Sequence, residues 1–383
     1  MRLRRFAAVL TAVLALFAGG AAGLLGTCGP FTDMANDLFC PFVLEIFYLG
    51  ITTGTTATTY SPGDSVSRLQ MAAFLSRTVD SVLLRGSRRA RLNQFWTTQA
   101  ATALGVTEVG LTPQFVKSDC TDLWVSDPGL QIVARVRGSD GAVLESWTSG
   151  INPRGVLVAS GRVFIAANTN PGRMYMIDPS EPVGSVTTVS TALGVFPQTL
   201  TYDGSNIWSA NSGGSVSIIT PGGPPPWTVT TVTAGFSQPN GTLFDGANVW
   251  VTDFGAQRLF KLDGNGAILQ TVTLGSGLAW PAFDGTNIWA PGGGSVWVVR
   301  ASTGAVLATL TDNGLTNVQQ AAFDGRRVLV TSGSDHRLAL WKAADLTAIG
   351  SLDTGAGTSP LGACSDGKDF WVALSGAGGL ARF

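Results

Sequence analysis

The 383-residue chain is poor in charge, with 13% Asp, Glu, Lys and Arg, about half the usual share, against 45% hydrophobic residues. That balance excludes a disordered chain, and a formal net charge of −1 leaves no electrostatic footprint for nucleic acid. The 25 acids comprise 21 Asp and only 4 Glu, beside 49 Gly and a single His, which favours turns over helices and leaves little material for histidine chemistry.

The chain opens on Arg2, Arg4 and Arg5 and then runs uncharged from 6 to 26, ending in small residues. A basic start, an apolar run and small residues predict a signal peptide over 1–26, and with it an exported protein of the cell envelope, cell surface or medium. The 21 uncharged residues are also long enough for an uncleaved anchor. No later segment is apolar for long enough to cross, so no membrane span is expected after signal removal. Four cysteines suit an oxidising compartment. Cys28 and Cys40 flank one short segment and are the expected disulfide. Cys120 and Cys364 read first as small buried thiols, with a bridge left open should the fold bring their segments together.

Residues 27–92 read as helix, loop, helix and basic linker. "PFVLEIFYLG" is an apolar run closed by Gly50, a good helix terminator. "SRLQMAAFLSRTVDSVLL" starts with a capping box, Ser67 with Gln70, and its Leu69, Ala72, Ala73, Leu75, Val79 and Val82 predict one buried face. The cluster Arg85, Arg88, Arg89 and Arg91 reads as a solvated linker. Phe31 and Asp33 in "FTDM", Gly50, Ile51 and Gly54 in "LGITTGTT", Tyr60 and Pro62 in "TYSPGDSV", and the following "VSRLQ" together resemble an S-layer homology (SLH) motif. The resemblance implies attachment to cell-wall or surface polysaccharide, with Arg68 at the place of the family's glycan-contacting arginine. Gln70 stands where the family carries an acid, and one motif is visible where wall anchoring commonly uses three.

From residue 93 onward one unit recurs. Aligned on Trp124, Phe164, Trp208, Trp250, Trp289, Leu329 and Trp371, the copies are 40, 44, 42, 39, 40 and 42 residues apart. Five places before the anchor stands Asp119, Asp203, Asp245, Asp284, Asp324 or Asp366, followed by Gly in every copy but the first; the second copy has Ala159 instead. Within "PAFDGTNIWAPGGGSVWVVRASTGAVLATL" short runs rich in Val, Ile, Trp and Thr alternate with "DGTN", "PGGG" and "STG". Four short antiparallel strands every forty-odd residues predict a mainly β chain, a seven-bladed β-propeller over 93–383. The last copy stops after three strands, so an N-terminal strand from about 93–104 is expected to complete its blade and remove the open edges. "FDGANVWVTD", "FDGTNIWAPG" and their sisters are similar to the YVTN and NHL repeats of bacterial propellers, a resemblance that implies fold far more than function.

No catalytic constellation emerges. His336 is read as a loop residue, no Gly-x-Ser-x-Gly elbow is present, and no spacing suits zinc. "LDGNGA" at 262–267 reads as a hairpin turn. No metal and no cofactor are expected. Function is therefore sought where the frame is irregular. Pro113, Pro197, Pro239 and Pro360 lie six before the motif Asp, Pro281 occupies a shortened version, and these connections ring one opening of the propeller. Phe196 and Trp280, with Gln198, Gln238, Asn240, Gln319 and Gln320, predict an aromatic and amide surface for a glycan or a protein partner. The expected function is a non-catalytic binding scaffold at the envelope. The alternative is an extracellular glycoside hydrolase or lyase using acids such as Asp127, Asp253 and Asp335.

Overall fold

A computed structural model describes residues 28, 30–34, 39–48, 51–85 and 105–383. The predicted signal peptide, the basic cluster beyond Arg85 and residues 93–104 lie outside the described residues. The chain divides into two compact units, with the boundary between residues 93 and 94.

The first unit holds helices α1 (Cys40–Tyr48) and α2 (Arg68–Arg85). Cys28 and Cys40 are disulfide-bonded, with Cα atoms 5.6 Å apart. Phe31 is buried and packs edge-on against Phe47, with centroids 5.1 Å apart, and against Tyr60 at 5.7 Å. Gly54 is obligatory here: its φ is +77°, and a Cβ would meet the Phe31 ring at 2.5 Å. The Asp33 carboxylate accepts from Tyr60 N and Ser61 N, at 2.9 and 2.7 Å, and so pins the loop between the helices. Ser67 and Gln70 form a reciprocal cap: Ser67 N donates to Gln70 Oε1 at 2.8 Å and Gln70 N to Ser67 Oγ at 3.2 Å. The expected buried face of α2 needs correction. Leu69 and Leu75 are 85% and 60% exposed and Ala72 is exposed too, whereas Ala73 and Phe74 are half-buried. A unit this small cannot cover every apolar side of two helices.

The second unit is the propeller. Its described residues form seven four-stranded antiparallel sheets, six of them in chain order from the axis outward. The inner strands are Phe115–Ser118, Pro153–Ala159, Pro197–Tyr202, Pro239–Phe244, Ala282–Phe283, Val318–Phe323 and Pro360–Ser365. Blade seven is completed from the N-terminal side, but by Gly105–Glu108, which pairs with Gly379–Arg382 through Val106↔Ala381. This strand begins just past the 93–104 segment expected to supply it; Thr107 anchors it further by donating to Gly141 O at 2.7 Å.

The repeated Asp and Trp are one device. In five blades the indole Nε1 donates to the Asp Oδ2 five residues earlier: Trp124 to Asp119 at 2.9 Å, Trp208 to Asp203 at 2.6 Å, and Trp250, Trp289 and Trp371 to Asp245, Asp284 and Asp366 at 2.7 Å each. The other carboxylate oxygen closes the turn: Asp245 Oδ1 accepts from Ala247 N and Asn248 N at 2.9 and 2.7 Å. Blade six has Leu329 at the anchor, and Arg327 Nε takes over as donor to Asp324 at 2.8 Å. Blade two lacks both partners together, with Ala159 and Phe164. The turn Gly has positive φ, as Gly246 does at +95°, and in blade one Cys120 occupies that place at +76°. The five tryptophans are fully buried, and in three blades a basic residue opposite on the third strand covers the indole face: Arg135 over Trp124 at 5.3 Å, Lys261 over Trp250 at 5.2 Å and Arg382 over Trp371 at 5.6 Å.

Candidate functional site: the axial mouth at the inner-strand starts

At the starts of the inner strands the ladders are irregular. The register shifts between Pro153 and Val156, Pro197 and Thr199, Pro239 and Gly241, Val318 and Ala321, and Pro360 and Ala363. A bulge releases one or two residues from pairing and re-aims their side chains. Proline begins four of these five strands, where its missing N–H costs the ladder nothing. The neighbouring inner strands approach so closely that a Cβ on Gly155 would stand 2.6 Å from Gln198 O, and one on Gly362 2.1 Å from Gln114 O.

The released residues Arg154, Gln198 and Asn240, with Ser212, Gln238 and Phe254, line a cleft of about 240 Å³ at this mouth. Gln198 is buried; its Nε2 donates to Phe196 O at 3.2 Å and Ser212 Oγ at 2.9 Å, and its Oε1 accepts from Arg154 Nη1 at 2.8 Å. Phe196 is 43% exposed at φ +59°, beside the cleft. Gln238 is exposed, and its backbone N donates to Asp253 Oδ1 at 2.9 Å. Burial depresses the affinity of Arg154 for its proton.

Two expected surface residues lie elsewhere. Trp280 is 6% exposed: it crosses the axis to Phe115, with centroids 4.5 Å apart, and its Nε1 donates to Asn240 Oδ1 at 3.2 Å. The cause is the shortened inner strand of blade five, which sends residues 278–280 inward, where Trp280 forms a parallel bridge with Gln320. Gln320 is 5% exposed and ties blade six to blade seven by accepting from Ala363 N at 3.1 Å. Gln319 is half-buried and donates to Asn317 Oδ1 at 3.0 Å. In the first unit, Arg68 is exposed on the opening turn of α2. Arg154 went unforeseen, although Pro153 lies six before Ala159 and so sits in the same frame as the other prolines.

The three acids of the hydrolase alternative all brace loops. Asp127 is buried and accepts from Leu111 N at 2.5 Å, Thr112 N at 2.9 Å and Leu130 N at 2.9 Å. Asp253, also buried, accepts from Ser237 N, Gln238 N and Ala256 N at 2.8 to 2.9 Å. Burial pushes the Asp335 carboxyl up, but hydrogen bonds from Ser332 Oγ and from Thr316 Oγ1 and N outweigh it and hold the pKa at about 2. His336 Nδ1 accepts from Ser359 N at 3.2 Å, a loop brace like the others.

The opposite end of the axis opens into a cavity of about 380 Å³ lined by residues from all seven inner strands. There Cys364 is buried, which pushes its thiol up to about 12, while Cys120 is exposed; the two are unbridged. No group of three or more metal-ligating side chains occurs among the described residues, and none of their helices is long and apolar enough to cross a membrane.

Residues 30–72 match the S-layer homology domain family. No curated protein matches the chain. Among solved structures, the propeller is similar to Kuenenia stuttgartiensis hydrazine synthase, at 16% identity and TM-score 0.60 over 72% of this chain and 97% of that one. It is similar also to virginiamycin B lyase from Staphylococcus aureus, at 14% identity and TM-score 0.60 over 73% and 98%. A third likeness is to a computationally designed protein, at 12% identity and TM-score 0.56 over 71% and 83%. Identities this low speak to fold alone. S-layer homology domains bind cell-wall polysaccharide, which associates the protein with the cell envelope. The chain thus carries an S-layer homology domain ahead of a seven-bladed β-propeller.

Proposed function

We propose that this is an exported recognition protein without catalytic activity, held at the envelope by its S-layer homology domain, whose propeller of YVTN/NHL-like repeats presents the bulged axial mouth to a glycan or protein partner. The observation that carries the reading is the contrast in side-chain use. At the mouth, released polar residues line an open cleft, whereas the carboxylates suited to hydrolysis are consumed by loop hydrogen bonds. Glycoside hydrolysis needs two carboxyl groups facing one substrate, one of them protonated near neutrality. A carboxyl held at about pH 2 is a poor proton donor there.

Co-sedimentation of the full chain with cell-wall polysaccharide tests the anchoring half. Retention should vanish when residues 30–72 are deleted, and persistence without them would overturn it. For the mouth, Gln238→Ala and Phe254→Ala in the full chain should weaken partner capture while leaving wall retention intact. Release of sugar or peptide fragments from isolated walls would replace this reading with an enzymatic one.

A further inference from the structure

We propose that the axial mouth recognises an acidic sugar, with the Arg154 guanidinium as the anchor for its carboxylate. The inference rests on the reading of this mouth as the recognition site. Arg154 lies in the bulge between Pro153 and Val156, half-buried among the inner-strand starts. Its one hydrogen bond among the described residues, from Nη1, goes to the neutral Gln198 Oε1 at 2.8 Å. Nε is buried without any acceptor. Among the described residues Arg154 has no ion-pair partner, unlike Arg135 and Arg327, which meet Asp122 and Asp324 at 2.7 and 2.8 Å. A partly desolvated cation with no counter-charge is a standing cost to the fold. An anion arriving in the cleft removes that cost, and the planar guanidinium suits a carboxylate.

The rest of the lining selects the carrier of that charge. No carboxylate side chain lines the cleft, and Asp253, next to it in sequence, has its oxygens occupied by three backbone N–H groups. Gln238 keeps a side-chain amide with no partner among the described residues, free to meet hydroxyls. Phe254 is 46% exposed at the rim and offers a flat apolar face to the C–H side of a ring. Apart from that ring the lining is polar, so the cleft lacks the apolar pocket that a peptide side chain would fill. A uronic acid unit supplies the carboxylate, the hydroxyls and the apolar ring face together.

The test is titration calorimetry of the full chain with oligosaccharides ending in glucuronic acid, and with the same oligosaccharides after reduction of the carboxyl group to the alcohol. Wild type should bind the acidic form at least about tenfold more tightly, and that preference should erode with added salt. Arg154→Gln should abolish the preference, Arg154→Lys should keep part of it, and the thermal midpoint of Arg154→Gln should not fall, because the variant removes an uncompensated charge. Equal binding of both forms, unaltered by Arg154→Gln, overturns the carboxylate inference and leaves the recognition site standing. Binding of neither form, with Gln238→Ala and Phe254→Ala also leaving partner capture unchanged, overturns both. A peptide with a free C-terminal carboxylate that displaces the glucuronic acid oligosaccharide overturns the sugar assignment.

Discussion

The two ends of each blade obey different rules. At the turn between inner and second strands, a carboxylate five residues before an indole closes the turn with one oxygen and binds the indole with the other, in five blades out of seven. At the opposite end the backbone device repeats, a bulge opening the inner strand, but the side chain it releases changes: Arg154, Gln198, Asn240, Gln319, Leu361. Constancy of side chain marks a position that solves the same packing problem in each blade. Constancy of backbone with variation of side chain marks a rigid frame that displays different chemistry. Folding stability should therefore be concentrated at the first end and ligand response at the second.

The largest effect tests the first half of that contrast. Trp250 is fully buried and bonded to Asp245, so Trp250→Ala should cost about 3–5 kcal/mol in denaturant unfolding through lost burial and a residual cavity. Trp250→Phe keeps most of the apolar volume but deprives Asp245 Oδ2 of its donor, and should cost about 1–2 kcal/mol. Blade two carries the double replacement naturally, as Ala159 with Phe164. Asp245→Ala combined with Trp250→Phe should then cost less than the sum of the single changes, by about 1 kcal/mol. Additive losses would show the two residues to be independent and remove the device.

That device was half legible in the sequence. Asp and Trp five apart fall within one short window, so their frame stood out, and each had a separate rationale as turn residue and blade filler. The bond joining them has a sequence signature too: blade two loses both, and blade six loses the tryptophan while Arg327 appears three after Asp324. At the other end, Phe196, Gln198, Gln238 and Asn240 were legible because proline marks the strand starts. Trp280 and Gln320 were misplaced for a physical reason. The two-residue inner strand of blade five draws the chain inward and turns a rim aromatic into a plug across the axis. Arg154 was hidden because the register was anchored on an aspartate that blade two has exchanged for alanine.

A middle-sized effect sharpens the display end. Gln198 makes three side-chain hydrogen bonds in a buried position, so Gln198→Ala should cost about 1–2 kcal/mol of stability as well as ligand response. Gln238 is exposed, and Gln238→Ala should change stability by no more than about 0.5 kcal/mol while still weakening binding. If Gln238→Ala destabilises as much as Gln198→Ala, the mouth is held together as the turns are, and the contrast between the ends fails.

The smallest effect concerns Asp335, which braces a loop at the display end of blade six. Its carboxyl is held at about 2, below the ordinary 3.8, so the folded state binds its proton less readily than the unfolded chain does. The resulting contribution to stability is fully present above the ordinary value and is lost as pH falls from about 4 through about 2. The group is only half-buried, so solvent screening keeps the contribution small. Asp335→Asn should lower stability slightly at neutral pH and flatten the acid limb over that window, as read from thermal midpoints against pH for both proteins. Acid limbs of equal slope would mean that Thr316 and Ser332 hold the loop without needing the charge, and the carboxylate would again be free to be considered for chemistry.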